Sequence, residues 1–271
     1  MVGRLEGKVA LITGIARGQG RAHAVRLASE GADVVGLDIC EAVPDVPYDP
    51  ATPEDLAETV RLVEAAGGRI IAAQGDVRDA DALKALAQKA VDTFGGLDIV
   101  VANAGICIPS AWDATTPRIW ASHMDINITG VWNTITATAP HLIERGGGSI
   151  VITSSYAGKK VQPWMIHYTT SKHALVGMTR GFAAELGRHK IRVNSVHPGG
   201  VNTPMGSGNM MAAMEAASAG TEKLGTMGTT FLEKSWAEPE EISAVVAFLA
   251  SDETPWITAE HISVDGGQQY F

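Results

Sequence analysis

A glycine-rich turn near the start of the chain constrains the fold more than any other segment. The apolar run Val9–Thr13 predicts a strand, and a helical pattern begins at Gly20. Glycines between them allow a sharp turn and let a pyrophosphate reach the N–H groups of a helix N-terminus. A tight turn that binds no ligand is the alternative, but the flanking strand and helix are the context that dinucleotide binding requires. We therefore predict that a dinucleotide contacts Gly14, Arg17, Gly18, Gln19 and Gly20.

Short runs rich in β-branched residues alternate with helical patterns along the rest of the chain. The predicted strands are Val9–Thr13, Asp33–Asp38, Arg69–Gln74, Ile99–Asn103, Ser149–Ser154, Arg192–Val196 and His261–Val264. The predicted helices are Gly20–Glu30, Pro53–Ala66, Ala80–Phe94, Ile119–Glu144, Tyr168–Leu186 and Pro239–Ala250. Most of the strands are apolar on both faces, as in parallel sheets covered by helices. The alternation predicts one Rossmann-type α/β domain over residues 1–271, a doubly wound parallel sheet of about seven strands.

Two segments interrupt this alternation. Residues 40–53 contain Pro44, Pro47, Pro50 and Pro53, a density that excludes a helix and predicts an extended loop. Residues 203–236 contain five of the nine methionines, and we interpret them as a substrate flap with a helix near Met210–Ala217. Methionine adapts to irregular apolar shapes, so an apolar alcohol or ketone fits such a flap better than a sugar or an acid.

Composition argues against several classes of protein. The 21 basic and 30 acidic residues give a net charge of −9, which argues against nucleic-acid binding. Two cysteines, Cys40 and Cys107, exclude a disulfide framework, and we expect no metal site. The N-terminus is charged where a signal peptide needs an apolar region, and no apolar run is long enough to span a membrane. We therefore expect a cytoplasmic protein with no membrane partner.

A tyrosine and a lysine four residues apart indicate redox chemistry. Tyr168 and Lys172 fall on one predicted helix, and this spacing places them on the same face. A free tyrosine has a pKa of about 10. A nearby ammonium group and an oxidised nicotinamide both favour the phenolate, which could take a proton from an alcohol as hydride leaves. Taken alone, such a pair is more often an exposed helix pair without a catalytic role.

Together, these motifs resemble the short-chain dehydrogenase/reductase family in its short, single-domain branch. The turn has the spacing TGxxxGxG, and Ser155 ends a strand 13 residues before Tyr168. The resemblance extends from Gly7 to Gly267. The family's other motifs follow in order as Asp76-Val77, Asn103-Ala104-Gly105, Asn127-Ile128-Thr129-Gly130, Pro198-Gly199-Gly200-Val201-Asn202-Thr203 and Val264-Asp265-Gly266-Gly267.

The resemblance implies a catalytic set of Asn127, Ser155, Tyr168 and Lys172. Tyr168 would be the base, Ser155 would bind the substrate oxygen, and Asn127 would hold a water that leads to Lys172. Ser154 is the alternative to Ser155. His167 precedes Tyr168, but we interpret it as structural because adjacent helical residues diverge by about 100°.

The same resemblance implies the rest of the cofactor site. Asp76 and Val77 would contact the adenine, and Val201 and Thr203 would hold the nicotinamide amide. The remaining implied contacts are Asn103, Ala104, Gly105, Tyr168, Lys172, Pro198 and Gly199.

Asp38, at the end of the second predicted strand, favours NAD over NADP. Its carboxylate can accept hydrogen bonds from the ribose hydroxyls and would repel a 2′-phosphate. Arg17 points the other way, because a base at that position is frequent in family members that use NADP. We give Asp38 more weight, since it would face the extra phosphate directly.

The proline-rich segment and the residues around the tyrosine resemble a subset of the family, the carveol dehydrogenases. The residues in question are Ser154-Ser155-Tyr156-Ala157-Gly158, Gln162-Pro163 and Ile166-His167-Tyr168. The subset acts on cyclic terpene-like alcohols, is linked to the peptide-derived electron carrier mycofactocin, and is thought to retain NAD through the insertion. A surface loop with no effect on cofactor exchange is the alternative for residues 40–53.

Three functions are weighed on these grounds. We favour an NAD-dependent dehydrogenase of an apolar secondary alcohol, which could use a mycofactocin-type electron acceptor. An acyl-carrier-protein ketoreductase would prefer NADPH and a basic surface, and a non-catalytic NAD-binding regulator would not need Ser155, Tyr168 and Lys172 together.

Gly177 and Gly181 lie four residues apart and permit close approach of another helix, within the chain or from another subunit. We expect a homotetramer, as the resemblance implies.

Overall fold

Seven parallel strands form one sheet in the order β3-β2-β1-β4-β5-β6-β7. The computed structural model describes residues 3–206 and 208–271. The strands are β1 (Val9–Thr13), β2 (Asp33–Asp38), β3 (Ile70–Gln74), β4 (Ile99–Ala102), β5 (Gly148–Thr153), β6 (Ile191–Pro198) and β7 (His261–Val264). The order reverses between β1 and β4, so the predicted doubly wound sheet is confirmed.

Helices cover both faces of this sheet. They are α1 (Gly18–Ser29), α2 (Pro53–Ala65), α3 (Ala80–Phe94), α4 (Pro117–His123), α5 (Gly130–Arg145), α6 (Ile166–Leu186), α7 (Asn209–Ser218) and α8 (Pro239–Ala250). One apolar cluster joins α3, α5 and α6 to the sheet, and a second joins α1, α2 and α8. Burial on both faces explains why the strands read as almost continuous apolar runs.

Local sequence signals explain where most elements begin and end. Thr52 caps α2, its hydroxyl accepting from the Asp55 N–H while the Asp55 carboxylate accepts from the Thr52 N–H. Gly31 and Gly67 have φ values of 102° and 91° just after their helices, conformations that glycine adopts without strain. The predicted elements match the observed ones to within two residues at each end.

The predicted helix Ile119–Glu144 is not uniform. It begins at Pro117, and residues Met124–Thr129 between α4 and α5 are π-helical. The side chain of Asn127 in this stretch bonds both backbone groups of Ile106. Side-chain bonds to a distant backbone are not part of a periodic pattern, so the sequence did not reveal the interruption.

The two interrupting segments lie at the same end of the sheet. Residues 40–52 form no helix or strand, and Val43 and Val46 pack on the core. Asp45 forms an ion pair with Arg118 at the start of α4. Residues 203–236 contain α7 and two short 3₁₀ turns, Pro204–Gly206 and Glu222–Gly228. The described helices include none with the length and hydropathy that a membrane crossing requires.

Gly36 should be essential for the packing of the glycine-rich turn on β2. A Cβ at this position would lie 2.4 Å from Ile15 Cδ1 and 2.8 Å from the Ile12 oxygen. We expect Gly36→Ala to lower the free energy of unfolding by about 1–3 kcal/mol through overpacking. Gly187→Ala is the control, because a Cβ there meets nothing within 4 Å. Urea unfolding of both variants measures the effect, and equal midpoints would contradict it.

Candidate active site

Two adjoining cavities open at the carboxyl ends of the strands. The first, of about 410 Å³, lies between the glycine-rich turn, the end of β2 and the proline-rich segment. The second, of about 260 Å³, lies between the start of α6 and residues 198–236. The residues common to both linings are Gln19, Ser154, Tyr168, Thr203 and Met205. Tyr168 therefore stands at the junction of the two cavities.

The glycine-rich turn forms a cradle at one end of the first cavity. Gly14 and Gly18 have φ values of 72° and 54°, where a side chain would be strained. A Cβ on Gly20 would fall 1.9 Å from the Gly14 oxygen, so the turn closes only with glycine there. Helix α1 begins at Gly18, and its first N–H groups and positive dipole end favour an anion at this turn.

Asp38 and Arg17 occupy different environments beside this cradle. Asp38 is buried and accepts hydrogen bonds from the N–H groups of Ala16 and Cys40. It lines the first cavity, as predicted for a residue that meets the ribose. The Arg17 guanidinium donates to the backbone oxygens of Asp49 and Pro50 in the proline-rich segment. Arg17 therefore holds this segment against the turn, a role that the sequence did not indicate.

The first cavity has the shape and polarity that a dinucleotide requires. Gln19 Oε1 and Thr153 Oγ1 are buried without a hydrogen-bond partner in the described structure. Buried polar atoms are nearly always bonded, so both point to a ligand or to water. Together with the glycine cradle, these atoms fit a bound dinucleotide whose reactive end approaches β5.

Tyr168, Ser155 and Lys172 converge near the end of β5. Both Tyr168 and Lys172 lie on α6, and the Lys172 ammonium is 5.6 Å from the centre of the Tyr168 ring. Lys172 Nζ donates to the Thr153 oxygen at 3.0 Å. Ser155 lines the second cavity, whereas the Ser154 hydroxyl donates to the Lys172 backbone oxygen at 3.0 Å. The geometry therefore favours Ser155 over Ser154 for contact with a substrate.

Burial sets the charge state of these groups. Burial lowers the pKa of Lys172 to about 8. Burial also raises the pKa of Tyr168, and a side-chain hydrogen bond with Ser155 opposes part of that rise. The phenol is therefore protonated in this protein alone. A positive charge placed in the first cavity beside Lys172 would favour the phenolate.

Asn127 reaches the same region from the π-helical stretch. Its Oδ1 accepts from the Ile106 N–H at 2.8 Å, and its Nδ2 donates to the Ile106 oxygen and to Ser171 Oγ. A Cβ on Gly105 would lie 3.2 Å from Asn127 Oδ1 and 3.6 Å from Lys172 Nζ. The absence of a side chain at Gly105 thus leaves the space between Asn127 and Lys172 open.

Asn103 and Ala104 join the end of β4 to β1. Both of their N–H groups donate to Thr13 Oγ1, and Asn103 Nδ2 donates to the Thr13 oxygen. Both residues and Gly105 line the first cavity. These hydrogen bonds hold the end of β4 against the end of β1 beside the first cavity.

The structure places Asp76 and Val77 in a small side cavity near β2. This cavity also contacts Asp38 and Ala104, which links it to the first cavity. Burial raises the pKa of Asp76, but hydrogen bonds from Arg78 outweigh this effect and leave the pKa below its usual value. Asp76 is therefore a charged turn residue beside the predicted adenine position.

The first residues of the loop at the end of β6 line the second cavity, and the loop reaches the first cavity at Thr203. Pro198, Gly199 and Val201 contact the second cavity, and Thr203 contacts both. Val201 bridges to Ala237 in a parallel fashion, which fixes the loop against the end of the flap. The loop therefore stands where the two cavities meet, as a nicotinamide contact requires.

His167 lies behind the tyrosine and not in either cavity. Its Nε2 donates to the Ile108 oxygen at 2.7 Å, and its ring packs on His123, whose Nε2 accepts from the Ile108 N–H at 3.3 Å. Two histidines therefore hold the backbone N–H and the backbone oxygen of Ile108, an arrangement in keeping with the structural interpretation.

Three residues around the two cavities were not among the predicted site residues. Trp164 lines the second cavity with φ of 59°, and its Nε1 donates to Thr221 Oγ1. Gln268 lines the cavity from the C-terminus and bridges Gly200 and Gly228. Tyr48 reaches from the proline-rich segment to the Cys107 N–H at 3.4 Å. Only the lone aromatic ring among the prolines could have suggested Tyr48.

Comparison with known proteins gives consistent similarities over the whole chain. A family model described as enoyl-(acyl carrier protein) reductase matches residues 14–269. The chain is 43% identical to a (-)-trans-carveol dehydrogenase of Rhodococcus erythropolis, over 97% of this chain and 98% of that protein.

Two solved structures are also close. A short-chain dehydrogenase of Mycobacterium paratuberculosis bound to NAD is 57% identical, with a TM-score of 0.98 over 99% of this chain and 100% of that chain. A carveol dehydrogenase of Mycobacterium avium in complex with NAD is 43% identical, with a TM-score of 0.93 over the same shares.

The buried ammonium of Lys172 should cost stability. Its pKa of about 8 lies below the ordinary 10.5, so between these values the unfolded chain binds a proton that the folded protein does not. The free energy of unfolding therefore rises with pH in this window, and the cost is largest below about pH 8. We expect nucleotide-free Lys172→Met to melt at a higher temperature than wild type at pH 7.

The advantage of this variant should shrink as the pH rises from 8 to 10.5. Lys89→Met, which removes an exposed lysine of α3, is the control and should show no such dependence. Thermal unfolding across this pH range measures both variants. A Lys172→Met protein that melts below wild type at pH 7 would refute the prediction.

Proposed function

Because the chain belongs to the short-chain dehydrogenase/reductase family, we propose that it is an NAD-dependent dehydrogenase of an apolar, cyclic secondary alcohol. The observation that carries the proposal is the position of Tyr168, at the junction of two cavities with Ser155 and Lys172 beside it. One cavity fits the dinucleotide and the other fits the alcohol. The reverse reaction, reduction of the ketone, uses the same groups.

In this proposal, the glycine-rich turn and the Asp38 carboxylate would hold NAD in the first cavity, where the bound cofactor would supply a hydride acceptor for the alcohol carbon. Ser155 and Tyr168 hold the alcohol oxygen between them. The phenolate of Tyr168 takes the hydroxyl proton, and the nearby ammonium of Lys172 keeps that phenolate accessible near neutral pH. Ser155 donates a hydrogen bond to the oxygen as it becomes a carbonyl. Asn127 would orient a water in the open space between Gly105 and Lys172. This water would pass the proton on to solvent.

The side chains at the ribose end support NAD over NADP. The buried carboxylate of Asp38 lines the cavity and would repel a 2′-phosphate. Arg17 is held by backbone oxygens of the proline-rich segment and does not face the cavity with a free guanidinium. The same two residues weigh against an acyl-carrier ketoreductase that uses NADPH.

The second cavity supports an apolar substrate. Ser155 and Tyr168 lie on its wall, the lining is mostly apolar, and methionines and tryptophans form much of it. These apolar residues are Trp164, Met165, Met205, Met210, Met211, Met214 and Trp236. Such a wall suits a compact hydrocarbon ring with one oxygen, as in a carveol-type alcohol.

We also propose that the proline-rich segment retains NAD. It lines one side of the first cavity, and it is anchored by Arg118 at Asp45 and by Arg17 at the backbone oxygens of Asp49 and Pro50. If NAD stays bound between turnovers, a separate electron carrier would have to reoxidise it in place, and a mycofactocin-type molecule is the carrier that we propose.

A homotetramer is the assembly that we propose. A Cβ on Gly177 or Gly181 would meet nothing within 4 Å, so packing inside the chain does not require either glycine. Trp132 is 51% exposed beside Phe182 on α5 and α6. Small residues and an exposed apolar patch on one face suit a contact between subunits.

Tyr168→Phe tests the proposed reaction. The variant lacks the proton acceptor, so turnover of carveol, menthol or cyclohexanol should fall below about a tenth of wild type. Bound nucleotide should stay nearly unchanged. Tyr270→Phe is the control, since Tyr270 is exposed and lines neither cavity. Wild-type protein that oxidises none of these alcohols, with NAD or with a dye acceptor, would favour the non-catalytic regulator.

Asp45→Asn tests cofactor retention. Desalted and denatured wild-type protein should release close to one NAD per chain, measured by chromatography. Asp45→Asn weakens the ion pair with Arg118 and should lose nucleotide faster during dialysis. Asp81→Asn removes a comparable exposed pair with Lys84 and should behave as wild type. An empty wild-type protein would refute the retention and leave an ordinary exchangeable cofactor.

A further inference from the structure

A chain of three polar side chains, of which Ser195 and His197 are fully buried and His261 is half-buried, ends at the backbone of Ser155. His197 Nδ1 lies 2.7 Å from the Ser155 oxygen, and His197 Nε2 lies 2.8 Å from Ser195 Oγ. Ser195 Oγ lies in turn 2.7 Å from His261 Nδ1. Ser195 and His197 are on β6 and His261 is on β7. None of the three lines either cavity.

The direction of each hydrogen bond in this chain is determined. A carbonyl oxygen can only accept, so His197 Nδ1 carries a proton and donates to Ser155. Burial lowers the pKa of His197 to about 3, so the ring is neutral and its Nε2 must accept from the Ser195 hydroxyl. The Ser195 hydroxyl donates its one hydrogen to His197 Nε2. Its oxygen therefore accepts a hydrogen bond from His261 Nδ1. One tautomer of each histidine satisfies the chain.

The hydrogen bond from His197 helps to fix the peptide that follows Ser155. The Ser155 oxygen also accepts from the Gly158 N–H at 2.8 Å, and Ser155 Oγ accepts from the Ala157 N–H at 3.1 Å. Because the Ser155 oxygen atoms accept these bonds, the hydroxyl proton is left for Tyr168 or for a substrate oxygen. A Cβ on Gly158 would lie 3.1 Å from His197 Cε1, so the imidazole packs directly under this turn.

We propose that His197 is a positioning residue that aims the Ser155 hydroxyl at the substrate oxygen. The inference rests on the proposed function, in which Ser155 touches that oxygen. His197 itself touches neither cavity, so its effect passes through the Ser155 backbone. Small errors in the position of a substrate-binding group are costly, since a displacement of about 1 Å can lower a rate ~100-fold.

A pair of substitutions separates hydrogen bonding from space filling. His197→Leu fills much of the same volume but has no donor. His197→Asn keeps an N–H close to the position of Nδ1 and should restore the bond to the Ser155 oxygen. We expect kcat for the alcohol that wild type oxidises fastest to fall roughly tenfold in His197→Leu. We expect His197→Asn to recover most of that loss, with NAD content unchanged in both.

His23→Leu is the matched control for loss of a buried histidine. His23 is fully buried on α1, and its Nδ1 bonds Ser243 Oγ at 2.9 Å. This variant should lower the melting temperature but keep kcat per folded chain. Ser195→Ala is a milder second variant, which removes the donor to His197 Nε2 and should also lower kcat. It replaces His197→Leu as the test if that protein does not fold.

A double-mutant cycle with Ser155→Ala completes the experiment. If His197 acts through Ser155, adding His197→Leu to Ser155→Ala should change kcat little further. Equal losses in His197→Leu and His197→Asn, wild-type kcat in His197→Leu, or multiplicative losses in the cycle would each overturn the inference. Wild-type turnover in Ser155→Ala would instead refute the proposed function, so the two failures are distinguishable.

Discussion

The parallel direction of all seven strands is the constraint on which the rest of the structure depends. Parallel strands end at one edge of a sheet, so the residues that follow them meet there whatever their distance in sequence. Gly14 follows β1, Asn103 follows β4 and Ser155 comes just after β5. The reversal of strand order between β1 and β4 opens the crevice that becomes the first cavity.

The site concentrates features that would destabilise a protein elsewhere. Lys172 is a buried ammonium with a single protein acceptor, and two buried polar oxygens, on Gln19 and Thr153, have no partner in the described structure. A π-helical stretch lets Asn127 bond the backbone of Ile106 and hold the loop after β4 in place. Each feature lowers the stability of the ligand-free protein and can be offset by a bound ligand or used in proton transfer. This is the pattern expected of an active site.

The sequence predicted the fold well because local signals and the global fold agree. Apolar runs and caps predicted the strand ends and the outer helix ends to within two residues, since a strand buried on both faces leaves a clear signature, but the break between α4 and α5 was not predicted. The sequence also placed Tyr168 beside Lys172 from spacing alone. The ribose-end assignment of Asp38 followed from its place at the end of β2, and the structure puts its carboxylate on the wall of the first cavity.

Long-range side-chain contacts were beyond reach of the sequence. Arg17 was predicted to contact the dinucleotide and it lines the first cavity, but no sequence signal indicated that its guanidinium binds backbone oxygens more than 30 residues away. Gln268 reaches the second cavity from the C-terminus, and His197 reaches Ser155 across neighbouring strands. No periodicity or motif encodes which side chain fills a gap between distant segments. The contacts of such residues can be recognised only in the folded structure, where the register of the strands brings distant segments together.

The proline-rich segment connects the two cavities physically. Tyr48 of this segment is half-buried and packs against a small apolar cluster formed by Cys107, Met165 and Met210. Cys107 and Met210 also line the second cavity, and burial raises the pKa of Tyr48, so its hydroxyl stays neutral. A segment that covers the first cavity thus forms part of the support for the wall of the second. Movement of this segment away from the first cavity would withdraw Tyr48 and loosen the pocket next to Tyr168, so the proposed retention of NAD and the shape of the proposed substrate site would depend on the same contacts.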